Sequence, residues 1–370
     1  MRDLTLADFP FMASLASSDD PKDRRIWLRV ASDYFVAAEP SDSDAITRFA
    51  EAMAAQLDGA DPATRMDVAR RLASSPRTPL RLLMKLEASG AEVSDYVLEH
   101  AAAFTPGYLA SLVAAGGKRA VAVAKRKDLS SELQRALAER ADVEALIALA
   151  RNSEARLEGA ALAQAIGVAR QLADAGDRRL AEALLARRPV RPETAALFLH
   201  ADAAERVEIL LAEQRMQLGR PPGAPPADAG ALDALELAAV ARQPARFVAV
   251  LAEALECEPE LARRIADDVS GEPLAVALTA LGAPNEVLVR VLISNDLLAG
   301  ASYQRIRALA RLNNALNRNA AVAVVDALRE RGGRRPPQRT EAVAPAADAR
   351  PLSARLAARP APAPKRALGR

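Results

Sequence analysis

The chain has 370 residues, 51% hydrophobic and 26% charged, which supplies a sizeable core and rules out wholesale disorder. Aromatics amount to 3%, and the Ala/Leu/Arg/Glu-rich remainder favours helix over strand. That excludes an all-β fold and disfavours the aromatic-lined pocket of a conventional enzyme. Charge is uneven: residues 331–370 hold ten Lys or Arg against Glu341 and Asp348, so the net +2 hides an acidic body of 40 basic and 46 acidic residues.

In chain order, residues 1–60 read as a helical cap. Asp20 and Pro21 suit an N-cap and a first helical turn, and Ile26, Val30 and Tyr34 share one face of the predicted helix. After a break at Glu39-Pro40-Ser41, Ile46, Phe49, Ala50, Met53 and Leu57 follow amphipathic spacing, and Gly59 closes the segment.

From residue 61 to 218 the helices are short and recur. Leu109, Leu133 and Leu157 lie 24 residues apart, as do Val97, Val121 and Ala145, and Val113, Leu137 and Ala161. Capping clusters at Thr105-Pro106-Gly107, Asp128-Leu129-Ser130 and Asn152-Ser153 align with them. Twenty-four residues hold two helices of about 8–10 residues with tight turns. Helices that short do not persist alone in water, so each pair must bury its stripe on the next, the logic of an α-solenoid.

The pattern then loosens. A longer helix is predicted near 160–174, with Leu162, Ile166 and Ala169 on one face, then Leu180–Leu185, a turn at Arg187–Pro192 and a helical pair to Leu218. Residues 219–230 form a Pro/Gly-rich linker. A second helical block, 231–330, contains Leu232–Ala241, Phe247–Leu255, Leu261–Val269, Leu274–Leu281, Val287–Ile293, Tyr303–Leu316 and Ala321–Arg329. Residues 331–370 are a Pro/Ala/Arg-rich tail expected to be disordered.

Several stretches carry a family resemblance: Ala69–Ala73, Pro79, Ala124–Ser130, Ala136–Arg140, Leu149–Asn152 and Ser302–Ala310. On these the chain, over about residues 20–330, resembles an alphaproteobacterial family catalogued as a domain of unknown function with short HEAT-like helical repeats. The resemblance implies a HEAT-like fold and a bacterial source, and it brings no catalytic residues.

The residues offer little chemistry. His100 and His200 are the only histidines and Cys257 the only cysteine, so no metal-ligand spacing exists; an internal disulfide is excluded and no cofactor is expected. Gly116-Gly117-Lys118-Arg119 lacks both the earlier glycine and the following hydroxyl of a phosphate loop, and reads as a helix stop. Cys257 lies between Glu256 and Glu258, which blunt a thiol, and Asp267 and Asp268 diverge around a helix. Lys125-Arg126-Lys127, Arg151 and Arg187-Arg188 read as cations complementing helix C-termini. Arg307, Arg311, Asn314 and Arg318 fall at i, i+4, i+7 and i+11, a candidate binding face beside an apolar side of Ile306, Leu309, Leu312 and Leu316.

The expected function is a non-enzymatic scaffold whose partner is another protein. Nucleic-acid binding through the Arg307 face and the basic tail is the alternative, disfavoured by the acidic body and the lack of interleaved aromatics. A DNA glycosylase would need aromatics around an extruded base, and Trp27 reads as helix core. The tail could tether the chain to an anionic surface. The N-terminus lacks the order of a signal peptide, and Pro106 breaks the longest uncharged run, 101–117, so no membrane span and a cytoplasmic location are expected.

Overall fold

The computed structural model describes residues 14–38, 43–221, 226–294 and 303–330. The expectation of a disordered tail lies outside the described residues. Among those described there is no strand. The helices are α1 (Pro21–Ala38), α2 (Ser43–Asp58), α3 (Pro62–Leu72), α4 (Leu80–Glu87), α5 (Ala91–His100), α6 (Pro106–Ala115), α7 (Gly117–Ala124), α8 (Ser131–Arg140), α9 (Val143–Arg151), α10 (Gly159–Asp174) and α11 (Arg179–Leu185). A 3-10 segment, Pro192–His200, precedes α12 (Ala203–Gln217). Beyond the linker come α13 (Ala229–Val240), α14 (Pro244–Ala254), α15 (Pro259–Ala266), α16 (Glu272–Leu281), α17 (Asn285–Ser294), α18 (Tyr303–Ala315) and α19 (Arg318–Arg329).

Local chemistry sets these boundaries. Asp61, Thr105, Ser130 and Asp142 each accept a hydrogen bond from a backbone N–H in the first turn of α3, α6, α8 and α9. Asp202 and Glu205 form a reciprocal capping box on α12. Proline occupies the first turn of α3, α6, α14 and α15, where its missing N–H costs nothing.

The odd-numbered helices from α1 to α11 each pack on the next odd-numbered one. Among the even-numbered helices, α2 packs on α4, and α6, α8, α10 and the 3-10 segment pack in succession. The nine aligned residues of the 24-residue pattern are buried or half-buried. The helices themselves recur at wider intervals: α5, α7 and α9 start at Ala91, Gly117 and Val143, 26 apart. Leu109 and Leu133 accordingly lie inside helices, whereas Leu157 precedes α10. Extra turn residues shift the leucines relative to the helix starts while leaving them in the core.

The first helix departs from expectation. Its buried face is Trp27, Leu28, Ala31, Ser32 and Phe35, while Ile26 and Val30 are 46% and 37% exposed. The helix carries two apolar stripes, and α2 and α3 cover the one holding the aromatics, with Phe35 stacked on Phe49 at 4.1 Å.

Contacts also run across the linker. The last helix, α19, packs on α12, the 3-10 segment and α16. The linker ends are pinned as well: Ala227 N–H donates to the Leu281 carbonyl (3.0 Å) and Asn319 Nδ2 to the Pro221 carbonyl (3.0 Å). One set of buried apolar residues runs from Trp27 to Leu328.

Trp27→Ala should destabilise by about 3 kcal/mol or more, and Ile26→Ala by no more than about 0.5 kcal/mol. Urea denaturation followed by far-ultraviolet circular dichroism checks this; equal losses would restore the Ile26 face to the core.

Candidate interaction surface

A helix of eight to ten residues leaves its last four carbonyls without intrahelical partners, a large share of its backbone. Where such ends are buried against a neighbour, something must donate to them. Along the odd-numbered row the donors come from the next helix in the row. The Ala102 N–H donates to the Ala73 carbonyl at the end of α3 (2.8 Å). Arg126, 1% exposed and just past α7, donates to the Leu98 and Ala101 carbonyls at the end of α5 (2.8 and 2.9 Å) and pairs with Asp128. Asn152, past α9, donates to the Ala124 and Arg126 carbonyls (2.9 and 2.7 Å). Arg187, past α11, donates to the Ala150 and Asn152 carbonyls (2.8 and 2.9 Å) and to that of Ala155.

Arg126 and Arg187 were expected to complement the ends of their own helices. They reach back instead to the preceding helix of the row, because the guanidinium fork has enough donors to satisfy two or more carbonyls at once. Burial lowers the Arg187 pKa from its ordinary value, and nearby Arg191 adds to the effect. Even-numbered helices use the same device: Arg140 at the end of α8 donates to the Ala114 and Ala115 carbonyls of α6. Its guanidinium lies over Gly116, where a Cβ would fall 2.2 Å from Nη2 and φ is +76°. The Gly116-Gly117 pair thus ends α6 and starts α7, and Gly117 N–H donates to Asp142 (3.0 Å).

The predicted binding face is divided. Arg307, Arg311 and Asn314 are exposed on α18. Among the described residues Arg307 and Arg311 make no ion pair or hydrogen bond. Arg318 lies on a different helix, so it does not continue their face. α18 ends at Ala315, Asn317 N-caps α19, and Arg318 Nε donates to the Ala280 carbonyl of α16 (3.0 Å).

Two polar clusters join the elements before and after the linker. Arg206, 7% exposed on α12, donates to the Phe198 carbonyl (3.1 Å), Asp268 (2.8 Å), Ser270 (2.6 Å) and Glu272 (3.1 Å), and lies over the Phe198 ring. Burial opposes its charge, but Asp268 and Glu272 outweigh that and raise its pKa. Burial likewise opposes the Asp268 carboxylate, yet Arg206 and Ser270 hold its pKa below 3.8. The second cluster is His200, whose Nε2 lies 3.0 Å from Asp174 Oδ1 and 3.2 Å from Arg264 Nη2. The neutral ring accepts from Arg264, whereas the protonated ring donates to Asp174. Burial, then Arg264, lowers the His200 pKa below 6.5, against the pull of Asp174.

Of the remaining titratable groups, Tyr108 donates to the buried Glu87 carboxylate (2.5 Å), and burial followed by that contact pushes its pKa up to about 12. Cys257 is half-buried, and burial raises its pKa more than Glu258 does. Asp267 and Asp268 lie past the end of α15 and not on a helix as expected; Asp268 meets Arg206, while Asp267 borders a small pocket near Phe247 and Ser294. Trp27 is in the core. Among the described residues, no three or more His, Cys, Asp or Glu are grouped to hold a metal ion, and no helix is long and apolar enough to cross a membrane.

The buried guanidiniums and the junction clusters escaped the sequence reading. Their signal was a cation on a buried stripe: Arg206 lies three and four residues before Ile209 and Leu210, and Arg126 follows Val123 at i+3.

The class these features define is an all-helical protein whose short helices are stapled end to end by their neighbours. Within it, residues 93–219 match the model of a family described as "uncharacterised protein conserved in bacteria (DUF2336)". No curated protein and no solved structure matches the chain. The match spans the staples at Arg126, Asn152 and Arg187 and covers part of the 20–330 span of the resemblance.

Arg126→Leu strands the Leu98 and Ala101 carbonyls and should cost about 2 kcal/mol or more, while Lys125→Ala stays within about 0.5 kcal/mol; chemical denaturation separates the two. The His200 linkage has a definite sign. Its native pKa lies below its unfolded value, so the unfolded chain binds the proton first and stability falls as pH drops through 6.5. His200→Gln should flatten that limb in thermal melts between pH 7.5 and 5. The further loss below pH 4, from Asp268, should remain.

Proposed function

We propose that the protein is a non-catalytic cytoplasmic scaffold, an α-solenoid of HEAT-like helical pairs that binds another protein. The observation that carries this reading is the succession of odd-numbered helices from α3 to α11, each end stapled by donors from the next. Helices stapled each to the next present many surface loops on a regular frame, an arrangement suited to holding an extended partner. Its polar clusters favour the same view, because Arg206, Asp268 and Glu272 are spent on one another and hold the frame together.

A second reading, nucleic-acid binding through α18, draws on the exposed and unpaired Arg307 and Arg311. Phosphate contacts there would make affinity fall steeply with salt.

Crosslinking mass spectrometry in the source organism, with and without residues 331–370, tests the scaffold reading. Lys118, Lys125 and Lys127 are exposed and offer the reactive amines. Crosslinks from them to one defined protein are the expected result. Only nucleic acid, or nothing above background, would reject the scaffold.

A further inference from the structure

We infer that the stacked loops after α7 and α9 form a docking site for an acidic, extended segment of a partner protein. The inference rests on the scaffold reading and gives it a place and a chemistry. The loop after α7 (125–130) and the loop after α9 (152–158) lie directly on each other, because Asn152 donates to the Ala124 and Arg126 carbonyls. Lys125 and Arg151 hold equivalent places, each immediately before a stapling side chain, Arg126 or Asn152. Lys127 and Arg156 flank them, and all four cations are exposed.

These four are unspent. Among the described residues none makes an ion pair or a hydrogen bond through its side chain. The acids nearby are mostly engaged: Asp128 is paired with Arg126, and Glu158 with Arg191. Within the two loops Glu154 alone has a carboxylate outside an ion pair among the described residues. Beneath the loops lies Arg187, half-buried and answered by carbonyls alone. A guanidinium compensated by dipoles and by no carboxylate leaves its full charge to add to the local field.

Between the loop after α9 and the first turns of α8 and α10 opens a cleft of about 410 Å³, lined by Leu129, Ser131, Gln134, Glu154, Arg156, Glu158 and Ala161. Of the four cations Arg156 borders this concavity, alongside Glu154 and the Arg191-paired Glu158; Lys125, Lys127 and Arg151 are exposed outside it. α7 and α9 pack side by side, and helices so packed stand about 8–10 Å apart. A segment in polyproline II conformation advances about 3.1 Å per residue with three residues per turn, which puts every third side chain on one face at about the same interval. Neither loop holds an aromatic residue for a base to stack on, and the surrounding body is net acidic, so a protein carboxylate fits better than a nucleic acid.

The test is fluorescence anisotropy on the full chain at low salt. The probe is a labelled twelve-residue peptide with glutamate at every third position; the controls are the same peptide with glutamine and a single-stranded oligonucleotide of equal charge. Lys125→Glu with Arg151→Glu should weaken glutamate-peptide binding by about tenfold or more, while Arg307→Glu with Arg311→Glu leaves it unchanged. All four positions are exposed, so both double variants should stay folded, the loop variant melting a few degrees lower because two cations at helix C-termini become anions. Equal binding of the glutamine peptide, no change in the loop variant, or tighter binding of the oligonucleotide would each overturn the site. A partner crosslinked elsewhere, with peptide affinity unaltered in the loop variant, would remove this site and leave the scaffold reading intact.

Discussion

The described part of this protein turns on one constraint: helices too short to satisfy their own carbonyls are packed so that several of their ends are buried or half-buried against a neighbour. Leaving a buried carbonyl unmet costs on the order of 1–3 kcal/mol, and every helix junction presents several. Neighbouring helices meet the demand with Arg126, Asn152 and Arg187 in one row and Arg140 in the other. The same side chains that close one helix therefore fix where the next one lies. Capping and packing are a single interaction here, and the order of the row is written into it.

Arginine suits the task better than lysine would. Its planar fork spans carbonyls from different turns, and its charge is weakly hydrated enough to bury. Arg206 extends the principle to the region beyond the linker by holding Asp268, Ser270 and Glu272 around one buried guanidinium. Arg170 does so in the reverse direction, reaching from α10 to the Leu328 and Glu330 carbonyls that end α19 (2.6 and 2.8 Å). Elements on either side of a Pro/Gly-rich linker are thus joined by the chemistry that joins neighbours within the row.

Much of this was legible beforehand. Helix positions after residue 60 could be read because Pro, Gly and Asx/Ser/Thr caps punctuate an Ala/Leu background, and the buried residues of α10 followed from simple periodicity. The phase of α1 was not legible: Ile26 and Val30 form as good a stripe as Trp27, Ala31 and Phe35, and only the placement of α2 and α3 decides between them. The break after Leu316 was legible as a segment end, yet Arg318 was read onto the face of Arg307 and Arg311 because the i+11 spacing carries through it; the cap formed by Asn317 puts Arg318 on the next helix. In Lys125-Arg126-Lys127 three cations look alike in sequence; the turn after α7 sends one inward and two outward. The apolar stripe around Arg206 marks it as a buried cation, but nothing local names Asp268 as its partner.

The staples from α3 to α11 each bridge adjacent members only, whereas α19 is gripped by α10, α12, α16 and the 3-10 segment together. Such wiring makes the chain mechanically lopsided. Pulled from its amino-terminal side, it would peel one rung at a time, each step releasing one guanidinium or amide from the rung before. Pulled from the α19 side, it would hold until several grips failed at once.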